Sequence, residues 1–153
     1  MTFASPFPDR TARFGLPLLF PGQAQKEFFL NQALCLADFL HHAAVLGEAD
    51  TPPAAPEDGE FWLIGENPSE DWFGRAGALA GWQAGAWHFI APTPGMKLFD
   101  RSTSQFLLFR DGWRRAASPE QPSGGTVVDE ELRAAFTALV EALEVSGILS
   151  VTE

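Results

Sequence analysis

A chain of 153 residues with 46% hydrophobic and 20% charged side chains carries enough apolar matter for one core and too much for disorder. Ten Lys and Arg stand against twenty Asp and Glu, a formal net charge of −10 that argues against nucleic acid, whose binding runs on cations. A single cysteine, Cys35, excludes a disulfide framework and a cysteine zinc site and reads as a small buried hydrophobe. The opening MTFASPFPDR has neither the basic start nor the apolar run of a signal peptide. No stretch approaches the roughly 18 apolar residues that span a bilayer. The expectation is therefore a protein made and kept in the cytoplasm, with no membrane partner.

In chain order, residues 1–22 read as an extended arm, because Pro6, Pro8, Pro17 and Pro21 forbid a continuous helix. Residues 23–47 read as a helix of good formers stopped by Gly47. Its apolar side chains are not confined to one stripe, so a second cover, such as a neighbouring subunit, is expected. GEADTPPAAPEDG (47–59) has the composition of a linker. Six strand-like runs follow within 58–118, at about 60–64, 77–82, 86–91, 96–100, 105–110 and 113–117. Asp111-Gly112 is the strongest hairpin signal and predicts a type I′ turn. SPEQPSGG (118–125) is a second linker, and residues 126–147 read as a helix with Thr126 and Asp129 spaced as a capping box. Leu132, Phe136, Leu139 and Leu143 recur at coiled-coil spacing, a candidate subunit contact. The fold class is α+β: an N-terminal helix, a small antiparallel meander closing as a barrel or sandwich, and a C-terminal helix. ILSVTE (148–153) is a candidate for one more short strand.

Aromatics dominate the middle of the chain, which has 14 Phe and 5 Trp but no Tyr. WQAGAWHFIAPTPG (82–95) and FRDGWRRAASP (109–119) share an order of aromatic, tight turn, Trp and strand, with DGEFWLI (58–64) as a third partial copy. A repeated hairpin explains Trp62, Trp87 and Trp113 as core. Trp72 and Phe73 sit in an acid-bearing loop and Trp82 at a turn, which makes them candidates for stacking a glycan.

Catalytic constellations are not legible. His41 and His42 are helical neighbours roughly 100° apart, which cannot chelate one ion as an i, i+4 pair could. Neither a nucleophile elbow nor a phosphate-binding or dinucleotide glycine loop occurs. The acid pairs Glu57–Asp58 and Glu70–Asp71 sit in linker-like stretches without an apolar wall to raise a pKa. The expectation is a non-enzyme with no cofactor and no metal.

RFGLPLLFPGQAQKEFFLNQAL (13–34) resembles the N-terminal motif of an uncharacterised, unknown-function domain family of alphaproteobacterial prophages and gene transfer agents, in proteins described as tail-fibre or phage-related. The matching positions are Leu16, Pro17, Pro21, Gly22, Gln23, Ala24, Gln25, Lys26, Glu27, Asn31, Ala33 and Leu34. PPAAPEDGEFWLI, WQAGAWHFIAPTPGM and GGTVVDEELRAAFTALVEAL match later blocks, so the resemblance covers nearly the whole chain. It departs at Phe20, Phe28 and Phe29, where the family usually has small or polar residues, and these become candidate subunit contacts. The helix-start motif Gln23, Gln25, Lys26, Glu27 and Asn31 either satisfies the backbone of the preceding segment or forms a docking surface.

The resemblance implies a structural component of a phage-like particle, located in the virion: an oligomeric head-spike base or tail-fibre adaptor that supports host attachment. With no repetitive shaft before Glu153, the expectation is a short connector rather than a fibre. Its partners would be itself, as trimer or pentamer, capsid or tail proteins, and a receptor-binding fibre protein. No catalytic residue is carried over. The rival readings are a carbohydrate-binding module for host capsule or lipopolysaccharide, and an accessory of a polysaccharide hydrolase.

Overall fold

Period-two alternation decides the centre of the molecule. In the computed structural model, residues 9–22, 26–120 and 129–149 are described. They form α1 (Lys26–His41), β1 (Ala44–Val45), β2 (Glu48–Ala49), β3 (Phe61–Ile64), β4 (Leu79–Gln83), β5 (Ala86–Ile90), β6 (Lys97–Asp100), β7 (Gln105–Phe109), β8 (Trp113–Arg115) and α2 (Glu130–Val145). A short 3-10 helix spans Glu70–Trp72. The strands make two four-stranded sheets, in orders β1-β6-β7-β8 and β2-β3-β4-β5, so the fold is α+β and the meander is not a closed barrel. Phe61, Leu63 and Leu79 from one sheet meet Val45, Leu98 and Leu107 from the other, with Phe39 of α1 completing the core.

The residues between these, on the far face of β2-β5, are not left to solvent. Ile64 and Ala80 pack there with Trp72, flanked by Trp62, Trp87 and Phe89. The loop from 65 to 78 folds back over this face, and Phe73 N–H closes its 3-10 turn onto the Glu70 carbonyl. Helix α1 crosses β4 at Gly81, where a Cβ would stand 2.5 Å from the Phe39 ring. Only glycine lets the ring, stacked on Phe61 at 5.1 Å, approach the strand this closely.

The helix expected to run to 47 stops earlier, and the linker expected over 47–59 begins with a short strand before an irregular stretch. Helix α1 ends at His41, and the next residues cross between the sheets. β1 runs parallel to β6, and β2 parallel to β3. Phe99 and Arg101 donate to the carbonyls of Ala43 and Val45, while Leu46 donates to Phe61, and Leu63 and Gly65 donate to Gly47 and Ala49. One segment thus serves as the edge of both sheets, a strand that switches layers at a corner.

The turn expectation is also corrected. The pair of positive φ angles falls at Ala84 (55°) and Gly85 (74°), between β4 and β5. Neither Asp111 nor Gly112 has positive φ, and the β7–β8 connection is a three-residue loop. The three residues open the turn and remove the need for a left-handed pair.

The extended arm is a folded hairpin over its described residues. Arg10 bridges Pro17, Thr11 donates to Leu16 O, and Leu18 donates to Asp9 O. The C-terminal helix starts at Glu130, with the Asp129 carboxylate accepting from Leu132 N–H as its cap; Thr126 lies outside the described residues. Beyond α2, Leu149 makes one parallel bridge to Ala116 in place of a strand, and 150–153 lie outside the described residues.

Candidate functional site

Helix α1 is inside out. Its buried residues are Glu27, Asn31, Cys35, Asp38 and Phe39, mostly polar. Asp38 accepts from Thr11 Oγ1 at 2.8 Å and from the backbone N–H groups of Arg13 and Phe14 at 3.0 Å each. Asn31 Oδ1 accepts from Leu19 N–H while its Nδ2 donates to Leu19 O, and Glu27 accepts from Gly22 N–H. Arg13 reaches past Asp38 to donate to the carbonyls of Phe39 and His42 at the helix end. Burial pulls the Arg13 pKa down and Asp38 opposes that pull. These polar groups hold the arm against the helix. The opposite face carries Phe29, 78% exposed, with Ala33 and Leu40 at helical spacing below it.

Phe28 is half exposed, and Phe20, after the hairpin, is exposed. Lys26 faces solvent, and Gln23 and Gln25 lie outside the described residues. Cys35 is fully buried, and burial, with Asp38 and Asp58 nearby, pushes its thiol up to about 11. It is held as a neutral hydrophobe, without the thiolate that reactivity needs.

Of the three candidates for glycan stacking, Trp72 is corrected outright. It is 0% exposed, its ring edge-on to Trp87 at 5.1 Å, and Trp87 in turn meets Trp82 at 5.0 Å. Its Nε1 is buried without a partner. The polar neighbours Glu70 and Asp71 point out because the 3-10 turn points Trp72 in. Trp82 is half-buried on the same aromatic row. Only Phe73, 81% exposed, offers an open ring.

Helix α2 buries a single side chain, Val140. Phe136 and Leu143 are half-buried, while Leu132 and Leu139 are 66% and 56% exposed. Its end is pinned: Phe106 donates to Gly147 O, and Gln105 Nε2 donates to the carbonyls of Ala116 and Ile148.

Sequence reasoning missed the outer face of β6-β7-β8. Lys97 pairs with Leu108 and Leu108 with Arg114, so one cross-strand row reads cation, leucine, cation. Phe99 and Phe106 form the next row on the same face, with ring centroids 5.0 Å apart. This face lines a groove of about 1100 Å³ that ends at Ser146 and Ile148. The signal was present as Lys97-x-Phe99 and Phe106-x-Leu108, two alternations whose register only the pairing supplies.

Beneath it, Asp100 accepts from Arg115 at 2.7 Å and from Ser102 Oγ at 2.7 Å, and Arg115 also holds Glu48 of the other sheet at 3.1 Å. Burial pushes the Asp100 pKa up, and the bonds from Ser102 and Arg115 outweigh it, leaving a net depression. A depressed carboxylate stabilises the fold above its unfolded pKa and loses that contribution as pH falls through the folded value. Stability is therefore expected to decline below about pH 4, the unfolded aspartate value. Asp100→Asn should flatten that acid limb in melting curves recorded between neutral and acid pH; an unchanged limb would assign it to other groups.

A family model described as "Protein of unknown function (DUF2793)" matches residues 30–114. The chain belongs to this family. The DUF2793 match runs from within α1 to β8, so it takes in both sheets, whereas the arm and α2 lie outside it. No curated protein and no solved structure matches the chain. Among the described residues of this DUF2793 protein, no group of three or more His, Cys, Asp or Glu side chains is placed to hold a metal ion. None of their helices is long and apolar enough to cross a membrane.

Proposed function

We propose that this DUF2793 chain is an oligomeric structural component of a phage-like particle, a head-spike base or tail-fibre adaptor that supports host attachment. The observation that carries the reading is the reversed amphipathicity of α1, whose polar side is spent on the arm while Phe29 and Leu40 face out. Large apolar side chains presented in this way mark a protein contact more often than a ligand site. Helix α2, with Leu132 and Leu139 outward, adds a second such surface. The particle assignment is supported by the resemblance of residues 13–34 to phage and gene-transfer-agent domains.

Light scattering at micromolar concentration is expected to give a mass several times 16.7 kDa. Leu132→Asp with Leu139→Asp, both on exposed positions, should lower that mass with the circular dichroism of the fold unchanged. A strict monomer would overturn the oligomeric reading. Antibody labelling of purified particles by electron microscopy tests the location, and unlabelled particles would overturn that half.

A further inference from the structure

We propose that the groove on the outer face of β6-β7-β8 takes helix α2 of a second copy of this chain. The inference rests on the oligomeric reading above and names the contact that builds it.

Four of the chain's ten Lys and Arg line this one groove: Lys97, Arg110, Arg114 and Arg115. Arg115 is committed to Asp100 and Glu48, and Arg114 makes an exposed pair with Asp111 at 3.0 Å. Among the described residues, no acid lies within ion-pair distance of Lys97 or Arg110. A chain of net charge −10 has placed four of its ten cations here against one acid, Asp111, around a floor of Phe106, Leu108 and Ile148. The groove therefore asks for an acidic partner with an apolar stripe.

Helix α2 has that chemistry. Asp129, Glu130, Glu131, Glu141 and Glu144 stand against Arg133 alone. Leu132, Ala135, Leu139 and Ala142 run at spacings of three and four along its exposed side, with Glu131 beside them. The helix does not fill its own groove, since Leu132 and Leu139 remain exposed in the single chain. The dimensions agree as well. Lys97 and Arg114 flank Leu108 from the strands on either side, which sets them about 10 Å apart, the width of a helix. Two helical turns, about 10 Å across and 11 Å long, occupy roughly 850 Å³, against about 1100 Å³ in the groove. Helix and groove are different surfaces, so a one-way contact between them is head-to-tail and builds a ring when its rotation closes.

The test uses the whole chain with two double variants, Lys97→Glu with Arg114→Glu in the groove and Leu132→Asp with Leu139→Asp on the helix. Each should fall to monomer with its circular dichroism unchanged and its melting temperature lowered only to a concentration-independent monomer value, its dissociation constant raised about tenfold or more. Mixed together they should recover a dimer and stop there, because the groove-defective chain still lends an intact helix to the helix-defective chain. Rising salt should weaken the wild-type assembly. A wild-type monomer overturns both this inference and the oligomeric reading. Groove variants that keep the wild-type mass while helix variants lose it overturn this inference alone, and leave α2 pairing with itself. Groove variants that lose binding to an anionic polysaccharide with no change of mass would also overturn it, in favour of a glycan site.

Discussion

Trp72→Ala is expected to cost roughly 3–5 kcal/mol of stability, the range for deleting a large aromatic from a packed site. For a chain of this length that lowers the melting temperature by roughly 6–20 °C. The indole is fully buried between the far face of β2-β5 and the loop that covers it, and it anchors the Trp72–Trp87–Trp82 row. Its loss would leave a cavity and free the loop from 65 to 78, which has few other apolar residues with which to hold the sheet. Trp72→Phe separates packing from polarity. It keeps most of the ring and removes an Nε1–H that is buried without an acceptor, whose desolvation costs about 1–3 kcal/mol. Thermal melts should therefore show the phenylalanine variant close to wild type. Equal losses for both variants would mean that the Nε1–H has a partner and that packing is not what Trp72 supplies.

Asp38→Ala is expected to cost about 3–5 kcal/mol, the range for removing one member of a buried charged network. Thr11 Oγ1 and the N–H groups of Arg13 and Phe14 would all lose their acceptor, and each unsatisfied donor carries a penalty of about 1–3 kcal/mol. Arg13 would also lose the carboxylate that offsets its burial. The loss should be local before it is global. Amide exchange in residues 9–19 is expected to accelerate ahead of the sheets, and the bonds from Arg13 to the end of α1 should go with it. Asp38→Asn tests the charge separately, because it keeps one acceptor oxygen and introduces a donor where only donors converge. A variant whose arm amides stay protected would show that Asn31 and Glu27 suffice to hold the hairpin.

The strands of the meander were legible because their side chains obey one rule. Trp62 and Ile64, or Trp87 and Phe89, point one way, and their neighbours Phe61, Leu63 and Ile90 the other. β1 and β2 were not legible, since two residues carry no period and their partners lie far along the chain. Trp72 was hidden by its surroundings: Glu70, Asp71 and Phe73 all face water, and a single inward residue on one 3-10 turn leaves no pattern. A weaker clue existed in Ala78-x-Ala80, two small residues at the entry to β4 that both pack in the Trp72 cluster and leave room for a large ring. The polarity of α1 was misleading for a related reason. Counting apolar residues says how many sides need cover, yet it took the hairpin of residues 9–19 to show that the polar side is the covered one.

The short crossing from Ala43 to Ala49 has an effect out of proportion to its length. Since it borders both layers, peeling it away would strip backbone bonds from each at once, and neither layer keeps its full width without the other. The halves of the sandwich are thus not interchangeable modules: no cut near Gly47 yields a self-sufficient piece, and the two are bound to melt as one.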